Sequence, residues 1–439
     1  MAYLQPHGDA EFWVAWGGVV VVARPFRALR YSADRVALER VLVPAKSTID
    51  DDLRNSWFAM EPRNMSHVVY GLADHGEDEH APLRRGRALL DDWLRAGVLV
   101  EDDEPVFYLL RQTFSVAGAE ELQSRSGIFV GLCLDKDTVA HIAPHEQILP
   151  ERAARVRQLR NVLQTQVEPV FLTYADPKRR VHKALRSLYD EEPDLQFTHE
   201  GVESELWIVD DETTIARIEA QLADAQLYIA DGHHRMASFG HDLDDGQRQT
   251  AAAAFLVADT DPGLQVWPTH RVFDRDEVID REALMERLVQ DFDVESIDSD
   301  VSCRDPSNDH PCMVLASPQG RHRLTPKSIP DDLFAAGEDH EHYPHTALVE
   351  RMFFKALQDI HDDVRMHYER DEALLLQRID EGEGRELAVL VRPPRLDEVF
   401  ALSDAGKTVS PKSTAFLPRL PIGICMARAS TLLHDITDS

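Results

Sequence analysis

The densest group of chemically capable side chains lies in the stretch LYIADGHHRMASFG, residues 227 to 240. Asp231, Gly232, two histidines and Arg235 follow one another directly after a short apolar run. The run is typical of a buried strand, and few helix breakers follow the glycine, so the sequence predicts a strand, a turn and a helix start. A polar cluster at such a junction indicates a binding site.

The predicted helix start is suited to phosphate. Backbone N–H groups at a helix N-terminus lack intrahelical acceptors and carry the positive end of the helix dipole. Gly232 lets the backbone approach a ligand closely, and Arg235 can donate two parallel hydrogen bonds to phosphate oxygens. His233 and His234 lie in the first turn. Asp231 can cap the helix, hold a divalent cation or accept a proton. The structural alternative is an ordinary Asp–Gly turn with a polar surface.

A second motif places a carboxylate just before another predicted helix. IAPHEQILPERAARV has His145 and Glu146 in a loop bounded by prolines, and Arg152 lies in the helix that follows. A glutamate in such a loop can act as a general base, although PHE is also compatible with a capped helix start. Both interpretations stay open on the residues alone.

Two further groups could bind an anion. WPTHRVF pairs His270 with Arg271, and SPKSTAFLP offers Lys412, Ser413 and Thr414. Guanidinium, ammonium and hydroxyl groups all donate hydrogen bonds to phosphate or carboxylate oxygens. Each group alone is equally compatible with a polar surface.

One motif is a decoy. ALSDAGKT, residues 401 to 408, matches a relaxed phosphate-loop pattern, but Pro411, Pro418 and Pro421 follow closely. A true phosphate loop leads directly into a helix, and a helix cannot continue through these prolines. The sequence therefore argues against a phosphate loop here.

Composition restricts the class of protein. The chain has 439 residues, of which 43% are hydrophobic and 28% charged, as in a globular protein of about two or three domains. Its net charge of −31 argues against a protein that coats nucleic acid, which needs a basic face. The apolar run at residues 12 to 23 is shorter than the roughly 20 residues that cross a bilayer and lacks a signal-peptide layout. We expect a buried strand there and a cytoplasmic protein.

Metal and disulfide frameworks are not indicated. The four cysteines are far apart and lack CxxC spacing. The acidic stretch GEDHEHYPH contains His340, His342 and His345, which could bind a metal. A solvated loop is the favoured interpretation of this stretch.

Helical and strand-like patterns are mixed along the chain, which predicts an α/β fold of the mixed α+β kind. Helices are predicted in RGRALLDDWLRAG, ERAARVRQLRNVLQ, TTIARIEAQLADA and REALMERLVQDF, and strands in SRSGIFVGLCL, EPVFLTYAD, ELWIVDD, QLYIA and ELAVLVRPP. The ending VSPKSTAFLPRLPIG is expected to be irregular and exposed.

Taken in order, the motifs resemble a known family. PFRAL, PHE before an arginine-bearing helix, YIADGHHR, PTHRVF and PKSTAFLP follow one another as in the family labelled domain of unknown function 1015. The central part, about residues 137 to 245, is similar to the fold of ParB nucleotidases, sulfiredoxin and free-serine kinases. The resemblance implies a ParB/sulfiredoxin-like core at residues 131–275, with further α/β segments at 1–130 and 276–439.

The free-serine kinases combine a similar glutamate element with DGHHR-like residues. The resemblance therefore implies a small-molecule kinase that transfers a phosphoryl group from ADP or ATP, with Mg²⁺, to the hydroxyl of L-serine or a similar metabolite. It implies that Glu146 removes the hydroxyl proton and that Asp231 orients the hydroxyl or the metal ion. Implied phosphate contacts are Gly232, His233, His234, Arg235 and Arg152. Candidate substrate contacts are His145, His270, Arg271, Lys412, Ser413 and Thr414.

Other functions stay open. A nucleotide-binding or nucleotide-hydrolysing regulatory protein of the ParB-like fold could use the same helix start, and so could a binding module without turnover. Sulfiredoxin-like enzymes use a cysteine in this region, which the turn here lacks. The chain has VLVPAKSTIDD where the family's PPYDV-like motif is expected, so the acceptor stays open, as do the nucleotide and the oligomeric state. No nucleic-acid or membrane partner is expected.

Overall fold

A computed structural model describes residues 22–45, 49–116, 121–142, 144–223, 225–274, 280–298, 312–329, 344–360, 366–381, 385–409 and 412–437. The chain forms two compact units. The first unit consists of Met1–Ala143, Ile148–Leu264 and Pro418–Ser439, and the second of Pro144–Gln147 and Gln265–Leu417. The expected division at residues 1–130, 131–275 and 276–439 stays a prediction.

The described residues contain strands and helices in mixed order, so the predicted mixed α/β class is confirmed. The strands are β1 (Val22–Arg24), β2 (Leu29–Tyr31), β3 (Leu99–Glu101), β4 (Phe107–Phe114), β5 (Gln123–Leu134), β6 (Thr165–Gln166), β7 (Val170–Tyr174), β8 (Leu195–His199), β9 (Val202–Val209), β10 (Leu227–Asp231), β11 (Thr250–Ala258), β12 (Gln265–Trp267), β13 (His270–Asp274), β14 (Phe292–Ile297), β15 (Met313–Ser317), β16 (Gly320–Pro326), β17 (Met366–Glu369), β18 (Arg385–Val391), β19 (Ala415–Leu417) and β20 (Ala427–Arg428). The helices are α1 (Leu38–Val41), α2 (Asp51–Met60), α3 (Ser66–Val69), α4 (Ala81–Arg95), α5 (Lys136–His141), α6 (Pro150–Leu163), α7 (Arg180–Leu185), α8 (Glu212–Leu222), α9 (His233–Asp244), α10 (Arg281–Asp291), α11 (His345–Gln358), α12 (Glu372–Asp380), α13 (Leu396–Asp404) and α14 (Ala429–Thr437).

The first unit is built on a sheet in the order β10-β7-β11-β5-β4-β9-β8, and β1 also pairs with β5. Strands β7 and β11 are parallel, and the other adjacent pairs are antiparallel. Alternate residues such as Leu172, Ile229 and Leu256 point to one face, where they form an apolar core with Ile218 of α8 and Phe239 of α9. The packing of these helices on the sheet fixes the position of the turn between β10 and α9.

The second unit has an antiparallel sheet in the order β14-β16-β15-β18-β13-β17. Helices α10 and α11 contribute Leu288 and Phe353 to the core on one face. Helix α12 contributes Leu375 and Ile379 to a smaller core on the other. Both faces of this sheet are therefore covered by helices.

The predicted exposed ending is wrong. Ala415–Leu417 form β19, which pairs with β12, and the side chains of Phe416 and Leu420 are 1% and 5% exposed. The apolar residues between the prolines are long enough for a short strand, and Pro418 lies just beyond its end, where the ladder requires no N–H donor.

The decoy motif does not form a phosphate loop. ALSDAGKT begins inside α13, which ends at Asp404, and the next described helix, α14, starts only at Ala429. The argument from the prolines is therefore confirmed.

Candidate functional site

Gly232 forms the turn between β10 and α9, as the sequence predicts. Its φ of +99° lies in the left-handed region, where residues with a Cβ are strained. A Cβ at this position would also lie 2.9 Å from Nε of Arg235, which folds back over the turn. The positive φ is therefore the reason why the turn requires glycine, since the end of the Arg235 side chain could shift to relieve the contact.

A β-bulge aims the side chain of Asp231. Ile229 pairs with Leu172, but Asp231 pairs with Phe171, so Ala230 is the extra residue on β10. Without the bulge, strand alternation would turn the carboxylate toward the apolar core that contains Ile229 and Leu172. With the bulge, Asp231 lies on the opposite face of the sheet, on the same side as Phe171.

Asp231 belongs to a cluster of four charged side chains. Its Oδ2 lies 2.8 Å from Nη2 of Arg235, and its Oδ1 lies 3.5 Å from Nη2 of Arg419. Arg235 also lies 3.1 Å from Oε1 of Glu168 and donates to the carbonyl of Pro169. Burial raises the pKa of Glu168, and Asp231 acts in the same direction against the two arginines. Protonation of Glu168 leaves two guanidinium groups beside one carboxylate. The resulting excess of positive charge favours binding of an additional anion.

The two histidines of the turn differ in their surroundings. His233 is 6% exposed, and burial lowers its pKa to about 4, so its imidazole is uncharged at neutral pH. Nε2 of His234 accepts a hydrogen bond from the N–H of Leu149 at 3.1 Å. In the neutral ring the proton then lies on Nδ1. Contact of either ring with phosphate stays a prediction.

Helices α6 and α9 start side by side and run parallel. His234 at the start of α9 contacts Leu149 just before α6, and Asp242 near the end of α9 pairs with Arg160 near the end of α6. The positive ends of both helix dipoles therefore point the same way. Arg152, in the first turn of α6, is exposed. This pair of N-termini has the electrostatic character of an anion site.

In the second unit, the loop at residues 412–414 donates hydrogen bonds to the carboxylate of Glu146. Its Oε2 accepts from the N–H of Lys412 at 3.1 Å. Its Oε1 accepts from the N–H and the hydroxyl of Thr414 at 2.9 and 2.8 Å. A carboxylate has about four acceptor positions, so these hydrogen bonds leave one, at Oε2, within the described structure. The carboxylate is thus fixed in orientation and can still accept a proton.

His145 completes this arrangement. Its Nε2 lies 2.8 Å from the hydroxyl oxygen of Thr414, and its side chain is buried. Because the hydroxyl donates to Glu146, it accepts from a protonated Nε2 of His145. The residues predicted to contact substrate at His145, Lys412 and Thr414 therefore hold the predicted base. Ser413, between Lys412 and Thr414 in the sequence, is half-buried.

The second predicted anion contact lies inside the second unit. Arg271 is 1% exposed, donates to both carboxylate oxygens of Glu350 at 2.8 and 2.7 Å, and lies 4.8 Å over the ring of Tyr368. Nδ1 of His270 accepts from the N–H of Val391 at 3.1 Å. Glu350 therefore already balances the charge of Arg271, and a substrate role for the pair stays a prediction.

Sequence reasoning missed two members of the Asp231 cluster. Glu168 lies two residues before β7, and Arg419 lies in the proline-rich ending that was expected to be exposed. A charged residue directly before a buried strand was the available signal for Glu168. Arg419 had no comparable local signal.

No group of three or more His, Cys, Asp or Glu side chains in the described ranges is arranged to hold a metal ion. His340 and His342 lie outside those ranges. Mg²⁺ is often bound by one or two carboxylates together with phosphate oxygens and water. Asp231 fits that pattern as a single protein ligand. Among the helices described, none is long and apolar enough to cross a membrane.

Fold and site together define a mixed α/β protein whose candidate site is of the helix-N-terminal, anion-binding type. Residues 23–351 match the family described as "Protein of unknown function (DUF1015)". The chain therefore belongs to that family, as the ordered motifs implied.

The solved structures that the chain matches have low sequence identity and TM-scores below 0.5. A free serine kinase in complex with AMP is 13% identical, with a TM-score of 0.39, and the match covers 69% of this chain and 92% of that one. A conserved hypothetical protein from Pyrococcus furiosus is 15% identical, with a TM-score of 0.37, and the match covers 69% of this chain and 97% of that one. C-terminally truncated SbnI from Staphylococcus aureus is 14% identical, with a TM-score of 0.38, and the match covers 70% of this chain and 90% of that one. No curated protein matches the chain. Nothing about activity follows from likeness at this level.

Proposed function

We propose that this protein transfers a phosphoryl group from ADP or ATP to the hydroxyl of L-serine or a similar small metabolite. The observation that carries the proposal is the start of α9, where a bulge aims Asp231 and where Arg235 and Arg419 lie within 3.5 Å of its carboxylate. Phosphoryl transfer depends mainly on positioning and on positive charge around the phosphate. The glutamate element and the DGHHR stretch, which resemble those of the free-serine kinases, support a serine-like acceptor.

In this proposal the start of α9 binds the phosphates. The backbone N–H groups of residues 232–235 donate to phosphate oxygens, and Arg235 and Arg419 turn from Asp231 toward the anion. Arg152 supports them from the start of α6. Asp231 would then hold Mg²⁺, which supplies neutralisation of phosphate charge when bound.

Glu146 is the proposed general base. Its Oε2 takes the proton of the acceptor hydroxyl, the hydroxyl oxygen forms a bond to phosphorus, and the bond from phosphorus to the leaving nucleotide breaks. The products are a phosphomonoester and AMP or ADP. Three hydrogen bonds hold the carboxylate beforehand, so little reorganisation is needed during the reaction.

The test compares Glu146→Gln with Glu151→Gln, an exposed acid in the first turn of α6. We expect Glu146→Gln to lower kcat by about 10² to 10⁴ because it removes the base. Nucleotide affinity should remain at the wild-type value, and Glu151→Gln should keep full turnover. Equal loss of turnover and nucleotide binding in Glu146→Gln would refute the assignment. Nucleotide hydrolysis without transfer to any acceptor would favour a regulatory nucleotide-binding protein.

A further inference from the structure

Arg125 on β5 is a buried cation that forms no ion pair within the described part of the chain, although Asp261 lies close enough to attract it. Its side chain is 1% exposed, and its Nη2 donates to Oε1 of Gln112 and to the carbonyl of Pro418, both at 2.5 Å. Its Nε and Nη1 have no hydrogen-bond partner in the described part of the chain. Burial lowers the pKa of Arg125 to about 9, against the attraction of Asp261. A buried charge left uncompensated is strongly destabilising, so this arrangement needs an explanation.

Two aromatic rings fix the plane of this guanidinium. Its carbon lies 4.8 Å from the ring centroid of Phe171 and 5.8 Å from that of Phe255. Phe171 pairs directly with Asp231 on one side and with Phe255 on the other. Directly paired residues share a face of a sheet, so the Arg125 guanidinium and the Asp231 carboxylate lie on the same face.

Thr173 provides a second unsatisfied group on that face. It lies two residues after Phe171 on β7 and is fully buried. Its hydroxyl oxygen has no hydrogen-bond partner among the residues described. Most buried polar groups in folded proteins are hydrogen-bonded to protein, water or ligand, so two groups on one sheet face without a protein partner are available to a ligand. Both groups can donate to an anion.

We propose that Arg125 binds the carboxylate of the acceptor, so that the substrates are hydroxy carboxylic acids. This inference rests on the proposed function and narrows its substrate class. One guanidinium matches the single charge of a carboxylate, whereas the phosphate has Arg235 and Arg419 available. Since Arg125 is enclosed, the acceptor enters through a local opening in which the carbonyl of Pro418 leaves Nη2.

Binding of acid and alcohol pairs tests the inference without requiring turnover. The full chain is titrated calorimetrically with L-serine and serinol, and with glycerate and glycerol. We expect each acid to bind about 10- to 100-fold more tightly than its alcohol, the range for a hydrogen bond to a charged group. Arg125→Gln should abolish the difference, and Arg125→Lys, which keeps the charge, should restore part of it.

Arg111→Gln is the matched control. Arg111 lies on the adjacent strand β4 and also stacks on an aromatic ring, 5.1 Å over Trp207, but Glu205 at 2.7 Å already balances its charge. This variant should keep the preference for acids. Thermal unfolding of every variant shows that it is folded.

Three outcomes would overturn the inference. They are equal binding of acid and alcohol, failure of both acids to bind, and acid binding that survives Arg125→Gln. Titration with ADP tests whether Arg125 binds a nucleotide phosphate instead. If Arg125→Gln loses nucleotide binding but keeps acid binding, Arg125 is a phosphate contact. Arg125-dependent acid binding without any phosphoryl transfer would instead refute the kinase and keep the acid site.

Discussion

The contacts of Thr414 could not be predicted from its motif. PKSTAFLP predicts contact with a ligand, which stays a prediction, and the structure adds that the N–H and hydroxyl of Thr414 both donate to Glu146, which lies 268 positions earlier in the chain. No local pattern encodes a contact between residues so far apart. By contrast, the left-handed turn at Gly232 was predictable, because an Asp–Gly pair between a strand and a helix has few other conformations.

We expect Thr414→Val to lower kcat of the proposed reaction by about tenfold, the effect of losing one hydrogen bond to a charged group. The valine keeps the shape and the backbone N–H but lets the Glu146 carboxylate rotate. Steady-state kinetics would show the loss in kcat with an unchanged KM for nucleotide. Thr414→Ser retains the hydroxyl and should recover most of the rate. Wild-type kcat in Thr414→Val would contradict a positioning role.

His233 predicts a pH dependence of stability. Its pKa is about 4 in the folded protein against an ordinary 6.5, so the unfolded chain binds a proton first as the pH falls. The free energy of unfolding should therefore decrease between pH 6.5 and 4, by up to about 3 kcal/mol from this residue. Urea unfolding of His233→Asn should show a shallower decrease than the wild type. The exposed control His75→Asn should match the wild type, and identical slopes in all three proteins would contradict the shift.

Most helices and strands could be predicted from the periodicity of apolar residues, but irregularities within the strands could not. Helix α9 and strand β10 were predicted from apolar spacing and turn chemistry. The bulge at Ala230 was not, because it depends on the pairing of β10 with β7. The prediction for the ending around Phe416 is wrong because its apolar residues form a strand by pairing with β12, about 150 positions earlier in the chain. The bulge is what places Asp231 on the face of the sheet where the candidate site lies.

The pairing of α6 with α9 predicts a large effect of Asp242→Ala. Asp242 is 8% exposed in its side chain and pairs with Arg160, which is 12% exposed. Its removal leaves the guanidinium of Arg160 without a carboxylate partner, so the free energy of unfolding should fall by about 3 kcal/mol. Asp244→Ala is the control, since Asp244 is 72% exposed and, among the residues described, forms an ion pair only with Lys136 at the surface. It should cost no more than about 1 kcal/mol. Equal effects of the two variants in urea unfolding would contradict this account of the helix pair.

At the scale of the whole molecule, the mixed α/β class and the family followed from the sequence, whereas the two compact units did not. Residues 144–147 belong to one unit and Ile148 to the other, although no composition change marks that boundary. Contacts among distant segments define the units, and a single sequence contains no direct record of such contacts.

The net charge of −31 predicts that salt stabilises the folded chain. Like charges repel more strongly in the compact state, and added salt shortens the screening length from about 10 Å at 0.1 M to about 3 Å at 1 M. The midpoint of thermal unfolding should therefore rise when potassium chloride is raised over this range. An uncharged osmolyte at equal osmolality serves as the control. A falling midpoint in salt would show that attractive ion pairs dominate instead.

The proposed phosphoryl transfer can be observed by phosphorus NMR of the full chain with Mg²⁺, L-serine and either ADP or ATP. We expect a serine-dependent phosphomonoester signal, matched by release of AMP or ADP and absent with Glu146→Gln. Glycerate in place of serine extends the test to a second hydroxy acid. Nucleotide signals that broaden without any phosphomonoester, for both acceptors and both nucleotides, would contradict the kinase and leave a protein that only binds nucleotide.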